Sequence, residues 1–255
     1  MKQTDTPKSI SWTFLHGLGD APNSARLLGH ELRKRGDEFD APDLNTVWSR
    51  HQDASELATD RLANALVSGA LACRGVENSS SRRFLVGHSV GAFVALAIAE
   101  LSSAFTGLVL LEGSLRAADL SAVQKYTDPE DPDRGRLCLI SELSHATDET
   151  GRIAEYRENV AGTHPDLFHG LATELVGRQD VAWRRLSRLV IPVLYIAGAL
   201  SPGASPAQLM PLRGLEAVEV IVVPDAAHWV HIDAPMVVAS HMKRWANAIC
   251  ARESQ

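Results

Sequence analysis

Apolar and polar positions along this chain fall into blocks with two different periods. Ile10–Leu15 and 83–86 read as short buried strands, and Gly107–Leu111 as another. The runs 191–197 and Val218–Val223 are nearly continuous in apolar residues, as strands buried on both faces of a parallel sheet are. A further short strand is expected near 38–41, ending at Pro42-Asp43. Helical spacing fills the gaps. Residues 24–35 form one candidate helix, with Gly36 as its C-terminal stop. Residues 55–71 form another, with Ala58, Leu62, Ala65, Leu66 and Gly69 on one face. Residues 90–101 are apolar nearly all round, which predicts a helix buried on every side. A last helix is expected to open at Asp233 with Pro235 in its first turn, and Val238, Met242, Trp245 and Ile249 make one packed stripe.

Strand and helix alternate, so the chain predicts an α/β fold with a parallel sheet. One stretch breaks the rhythm. Residues 114–185 hold no convincing buried strand and several helical patterns, which reads as a helical insertion. The expected division is a core of 1–113 and 186–255 with an insertion of 114–185. The acidic run 128–133 is expected to be a solvated loop.

The segment Val86-Gly87-His88-Ser89-Val90-Gly91-Ala92 joins a strand to the buried helix. A Gly-x-Ser-x-Gly turn in that context holds serine in strained backbone geometry with its Oγ at the top of the sheet. The helix start beside it favours negative charge. Serine is a weak nucleophile and needs a base. His228 follows the strand Val218–Val223, on the same carboxyl edge of the sheet; His231, three residues on, is the rival. His88 flanks the elbow and is expected to pack or hydrogen-bond locally.

Composition narrows the partners. The chain has 255 residues, 45% of them apolar, enough for a sizeable core. Its net charge of −6 argues against nucleic acid and anionic membranes as partners. No apolar run approaches the ~18 residues that span a bilayer, and the polar start Met1–Ser9 predicts no secretory leader, so a cytoplasmic protein is expected. Cys73, Cys138 and Cys250 lie far apart, which argues against a disulfide framework or a zinc site built on them.

Three anchors, His16-Gly17, Gly87-His88-Ser89-Val90-Gly91 and Pro224-Asp225-Ala226-Ala227-His228-Trp229, occur in an order and spacing that resembles the α/β-hydrolase family over nearly the whole chain. The resemblance implies the α/β-hydrolase fold: a mostly parallel sheet, helices on both faces and a helical cap, here 114–185. Only about fifteen residues precede His16, so the family's first two strands are expected to be absent or reduced, leaving about six. It also implies an oxyanion hole from the backbone N–H groups of Leu18 and Val90. The family's usual aspartate after the penultimate strand has no counterpart here, where the loop reads Gly198-Ala199-Leu200-Ser201-Pro202-Gly203. Either the triad is broken or the acid comes from elsewhere. Glu112 ends the apolar strand Gly107–Leu111, where a charge needs a partner, and some relatives place a glutamate there. Glu112 is the assigned acid, with Asp225, Asp20 and Asp43 as alternatives.

The expectation is a serine hydrolase with Ser89, His228 and Glu112 as its triad, acting on a small, largely apolar ester, lactone or thioester without metal or organic cofactor. Trp229, Tyr126, Phe168 and Trp183 are candidate substrate-binding residues, although aromatics at helical spacing also build cores. Other reactions on the same fold (cyclisation, acyl transfer, lyase or oxygenase chemistry) and a non-catalytic ligand receptor are the alternatives. The pattern does not disclose an oligomeric state.

Overall fold

The computed structural model describes residues 9–51, 57–69, 82–113, 115, 120–146 and 151–252. Residues 1–8, Cys73 and both ends of the expected helix 55–71 lie outside these. Six parallel strands form one sheet: β1 (Ile10–Leu15), β2 (Glu38–Asp40), β3 (Arg82–His88), β4 (Gly107–Leu111), β5 (Val193–Gly198) and β6 (Val218–Val223), in the spatial order β2-β1-β3-β4-β5-β6. The chain moves outward from β1 to β2, then returns past β1 to β3. Connections therefore diverge between β1 and β3, and a crevice opens there at the carboxyl ends of the strands.

Side chains alternate across the sheet with a period of two. Trp12, Phe14, Phe84, Val86, Val109, Leu111, Leu194 and Ile196 point to one face, which the helices Arg26–Arg33 and Pro235–Arg252 cover. Leu85, Leu108, Leu110, Val193, Tyr195 and Ala197 point to the other. The helices Ala58–Ser68, Gly91–Leu101, Gln179–Arg188 and Pro206–Arg213 contribute to the core on that side. Registers such as Leu85↔Leu108 and Val109↔Leu194 carry the alternation across neighbouring strands. Residues 91–98 of the elbow helix are all buried, as its unbroken apolar composition predicts.

Between β4 and β5 the described residues are helical: Ser121–Gln124, Pro132–His145, Arg152–Gly162, Pro165–Gly177 and Gln179–Arg188. Three of these helices enclose a separate small core of Tyr126, Leu139, Val160, Phe168 and Ala172, against which Leu18 packs. Gln179–Arg188 instead packs against the elbow helix, and Arg185 pairs with both Asp60 and Glu100.

Several boundaries differ from expectation. The acidic run 128–133 is not all loop: the Asp131 carboxylate accepts the amides of Asp133 and Arg134 and starts the helix Pro132–His145. Asp233 does not open the final helix. It closes a short helix, Val230–Asp233, and its carboxylate accepts the Ala227 amide and pairs with Arg152; the long helix begins at Pro235. Gly69 is the C-terminal cap of its helix, where its freedom from a side chain serves the turn. The helix Leu44–Arg50 is additional to the elements expected, and Asp43 caps it. Among the described residues no helix is long and apolar enough to cross a membrane.

Candidate active site

β3 delivers Ser89 to the crevice. Its φ is +52°, a left-handed conformation that serine adopts only where surrounding structure imposes it. The imposition is visible. The Ser89 N–H donates to the Leu111 carbonyl at 2.9 Å, and its carbonyl accepts the Ala92 N–H at 3.0 Å, which starts the helix at once. Gly91 permits the close fold: a Cβ there would collide with the Leu15 and His16 carbonyls. Ser89 is 7% exposed.

Glu112 follows β4 with φ +53° and is buried. Its N–H donates to the Ile196 carbonyl at 3.0 Å. Its carboxylate is held by the loop after β5: Oε1 accepts the Gly198 N–H at 2.5 Å, and Oε2 accepts the Ser201 hydroxyl at 2.7 Å. Ser201 Oγ in turn accepts the Gly203 N–H at 3.1 Å. The loop that lacks a carboxylate therefore folds around one supplied by β4.

The loop after β6 turns at Asp225, φ +57°, and brings His228 to the same place. His228 Nδ1 lies 3.6 Å from Glu112 Oε2. That is an ion-pair distance, longer than the hydrogen bond of about 2.6–3.2 Å that the triad reading anticipates. The His228 side chain is 42% exposed. His88 Nε2 donates to the His228 backbone carbonyl at 3.0 Å and ties the elbow to this loop. Among the described residues, no hydrogen bond joins Ser89 Oγ to the His228 ring. The other carboxylates lie elsewhere. Asp225 is exposed, Asp43 caps its helix through Asn45 and Thr46, and Asp20 faces His88 and His231.

The loop after β1 forms the opposite wall. His16 Nε2 accepts the Leu44 N–H at 3.1 Å, so Nδ1 carries the proton and meets the Gly17 carbonyl at 3.2 Å. Burial lowers the pKa of this ring, and it stays neutral. The Leu18 carbonyl accepts the Tyr156 hydroxyl at 2.9 Å. Among the described residues, neither the Leu18 nor the Val90 amide donates to a backbone carbonyl.

Of the aromatic candidates, Trp229 borders a small, partly open cavity with Asp20, Arg152, Ile153, Tyr156 and Ile232. Its ring stands edge-on to Tyr156, with centroids 5.3 Å apart. Tyr126 is buried against Phe168, and its hydroxyl donates to Glu142 at 2.6 Å. Phe168 is fully buried beneath the Gly19 turn. Trp183 packs on the outside of the core beside the elbow helix, on the layer that covers the sheet. Sequence reasoning did not find Tyr156 or Ser201. Neither stands in a motif, and each acquires its place only when the loops converge.

His231 is fully buried behind His88, with ring centroids 4.4 Å apart, and burial with the nearby His228 lowers its pKa to about 3. Burial also lowers the His88 pKa well below the usual histidine range, with His231 and His228 adding to it.

The model of the alpha/beta hydrolase family matches residues 11–241. The chain belongs to that family. Solved structures with this fold include a thermophilic esterase from Thermogutta terrifontis, 20% identical with a TM-score of 0.71, covering 96% of this chain and 92% of that one. Potato epoxide hydrolase I is 16% identical with a TM-score of 0.66, covering 94% and 93%. The 1H-3-hydroxy-4-oxoquinoline 2,4-dioxygenase is 16% identical with a TM-score of 0.70, also covering 94% and 93%. At these identities the likeness shows the fold, and the family's members differ in chemistry. Among curated proteins, no sequence matches this chain.

Proposed function

We propose that this protein is a serine hydrolase that cleaves a small, largely apolar ester, lactone or thioester. The observation that carries the reading is the convergence of three segments on one sheet edge. A serine in strained left-handed geometry, a half-exposed histidine and a buried carboxylate 3.6 Å from that histidine meet there. Ser89 Oγ forms a bond to the substrate carbonyl carbon while His228 Nε2 takes the hydroxyl proton. The carbonyl oxygen gains the negative charge, and the Leu18 and Val90 N–H groups receive it. As the intermediate collapses, His228 passes the proton to the leaving oxygen or sulfur. Water then attacks the acyl carbon while His228 takes one of its protons; the Ser89 Oγ–carbon bond breaks, His228 returns the proton to Ser89 Oγ, and the acid leaves. Glu112 fixes the His228 ring and offsets the positive charge that forms on it.

The cavity beside Trp229, lined by the neighbour of His228 in the chain and not by Ser89 itself, supports the substrate class through its apolar wall. Ile153, Ile232, Tyr156 and Trp229 supply an apolar wall, with Arg152 and Glu155 among the residues that complete it. The test is labelling with a fluorophosphonate followed by peptide mass spectrometry. The adduct is expected on Ser89 and absent from Ser89→Ala. An adduct on another residue, or hydrolysis of activated esters unchanged in Ser89→Ala, rules the mechanism out.

A further inference from the structure

Three buried side chains behind the elbow carry unpartnered polar atoms and lie close together. Asp20 comes from the loop after β1, His88 from the end of β3 and His231 from the short helix Val230–Asp233. Each is at most 5% exposed. Among the described residues, Asp20 Oδ2, His88 Nδ1 and both His231 nitrogens have no hydrogen-bond partner. One ligand atom from each residue, an imidazole nitrogen or a carboxylate oxygen, lies within 4.8 Å of the others.

The partners on the far side of these groups define what faces inward. His88 donates Nε2–H to the His228 carbonyl, so its Nδ1 presents a lone pair. Asp20 Oδ1 already accepts the Ala21 amide at 2.9 Å and Asn159 Nδ2–H at 3.2 Å, and Oδ2 remains. A neutral His231 offers one lone pair beside its N–H, so Asp20 Oδ2, His88 Nδ1 and one His231 nitrogen can each bind a positive centre placed among them. Imidazole donated on its outer side to a backbone carbonyl, and a carboxylate oriented by outer donors, are the surroundings that metal ligands have. Two imidazoles and one carboxylate suit a divalent transition ion rather than calcium or magnesium, which take oxygen.

We propose that Asp20, His88 and His231 bind one divalent ion of the zinc class, as a structural site distinct from Ser89, His228 and Glu112. Bonds of about 2.1 Å place tetrahedral ligand atoms about 3.4 Å apart, so the three atoms close inward by no more than about 1 Å on binding. The ion joins the loop that carries Leu18, the elbow strand and the loop that carries His228. Its role is to hold those three segments in register.

The full-length protein is treated with a chelator, dialysed and titrated with Zn²⁺ or Co²⁺. The expected result is one tightly held equivalent per chain by elemental analysis, a visible Co²⁺ absorption band and a rise in the thermal midpoint on Zn²⁺ addition. His231→Leu and Asp20→Asn lose the equivalent and the shift, while His51→Ala, on the surface, keeps both. The Co²⁺ spectrum of the unaltered protein reads the site even if a variant fails to fold. Absence of a bound equivalent in the unaltered protein at 100-fold excess metal overturns the proposal and leaves a buried water bridging the three groups. Equal uptake by folded His231→Leu, which marks surface histidines as the binders, overturns it as well.

Discussion

His228 Nδ1 stands 3.6 Å from Glu112 Oε2, and that same oxygen accepts the Ser201 hydroxyl at 2.7 Å. Glu112 is thus fixed by its neighbours before the histidine engages it. The Gly198 amide holds one oxygen, Ser201 holds the other, and the side facing His228 is left open. Glu112→Gln keeps an acceptor for Gly198 but presents His228 with an amide. In a serine protease the corresponding change selects the wrong tautomer and lowers turnover by about 10⁴. A fall in kcat of about 100-fold or more is expected, with KM little altered. Steady-state hydrolysis of p-nitrophenyl esters measures it, and the thermal midpoint checks that the fold persists. A fully active Glu112→Gln enzyme removes Glu112 from the triad.

Ser89 carries a backbone conformation that glycine adopts without strain. Left-handed geometry costs a non-glycine residue about 1–3 kcal/mol, and glycine returns about 0.5–1 kcal/mol of this through its freer unfolded chain. Ser89→Gly is therefore expected to stabilise the protein by about 1 kcal/mol while hydrolysis and phosphonate labelling disappear. Ser89→Ala loses activity without the gain, because alanine keeps the strain. Urea denaturation of the two variants at equal m-values compares them directly. A glycine variant less stable than the alanine variant means the elbow stores no strain.

The sheet was legible because its strands are apolar runs bounded by turn residues, and the elbow because Gly87 and Gly91 sit at the crowded strand-to-helix junction. That Glu112 would be buried and partnered was legible for a different reason: a charge directly after the run Gly107–Leu111 demands a partner. Other parts were not. The helix Leu44–Arg50 has seven residues, too few to display a period, and its cap Asp43 looked equally like a free carboxylate. Asp233 has the position of a helix cap, yet a backbone amide in the preceding loop and Arg152 claim its carboxylate. Trp183 lies on a helix whose apolar stripe faces the core, and the sequence does not say which layer that helix joins. The Asp20, His88 and His231 cluster draws on three distant segments, and only the folded topology brings them together.

Tyr156 reaches from the helix Arg152–Gly162 to the Leu18 carbonyl. Burial raises the pKa of its hydroxyl, with Asp20 adding to the effect, so the group stays a proton donor at neutral pH. The bond fixes the peptide beside the proposed oxyanion donor, and a net hydrogen bond of this kind is worth about 1 kcal/mol. Tyr156→Phe keeps the ring against Trp229 and removes only the donor. The expected result is about a fivefold loss in kcat with a smaller change in KM. Rates for Tyr156→Phe equal to those of the unaltered enzyme mean that Leu18 is held by its own turn.

Glu174 lies in the helix Pro165–Gly177 and faces the first turn of Ala58–Ser68. Its carboxylate accepts the Thr59 hydroxyl at 2.5 Å and the Thr59 amide at 3.3 Å. Burial nevertheless raises its pKa above the ordinary carboxylate value, against the Thr59 bonds. The sign of the linkage follows. Between the unfolded pKa of about 4.3 and the raised folded value, the folded chain holds a proton that the unfolded chain has lost. The contribution of Glu174 is therefore full below about pH 4.3 and is lost as pH rises through the folded pKa. Glu174→Gln has no proton to lose. Its stability relative to the unaltered protein is expected to climb with pH from the acid side and level off once both states are ionised. The slope is at most about 1.4 kcal/mol per pH unit. The offset between the two proteins at low pH does not matter to this test; only the change with pH does. Urea midpoints at pH 5, 6, 7 and 8 supply it. A difference that stays constant over this range, or one that turns against Glu174→Gln as pH rises, shows that the carboxylate is ionised throughout and that Thr59 outweighs burial.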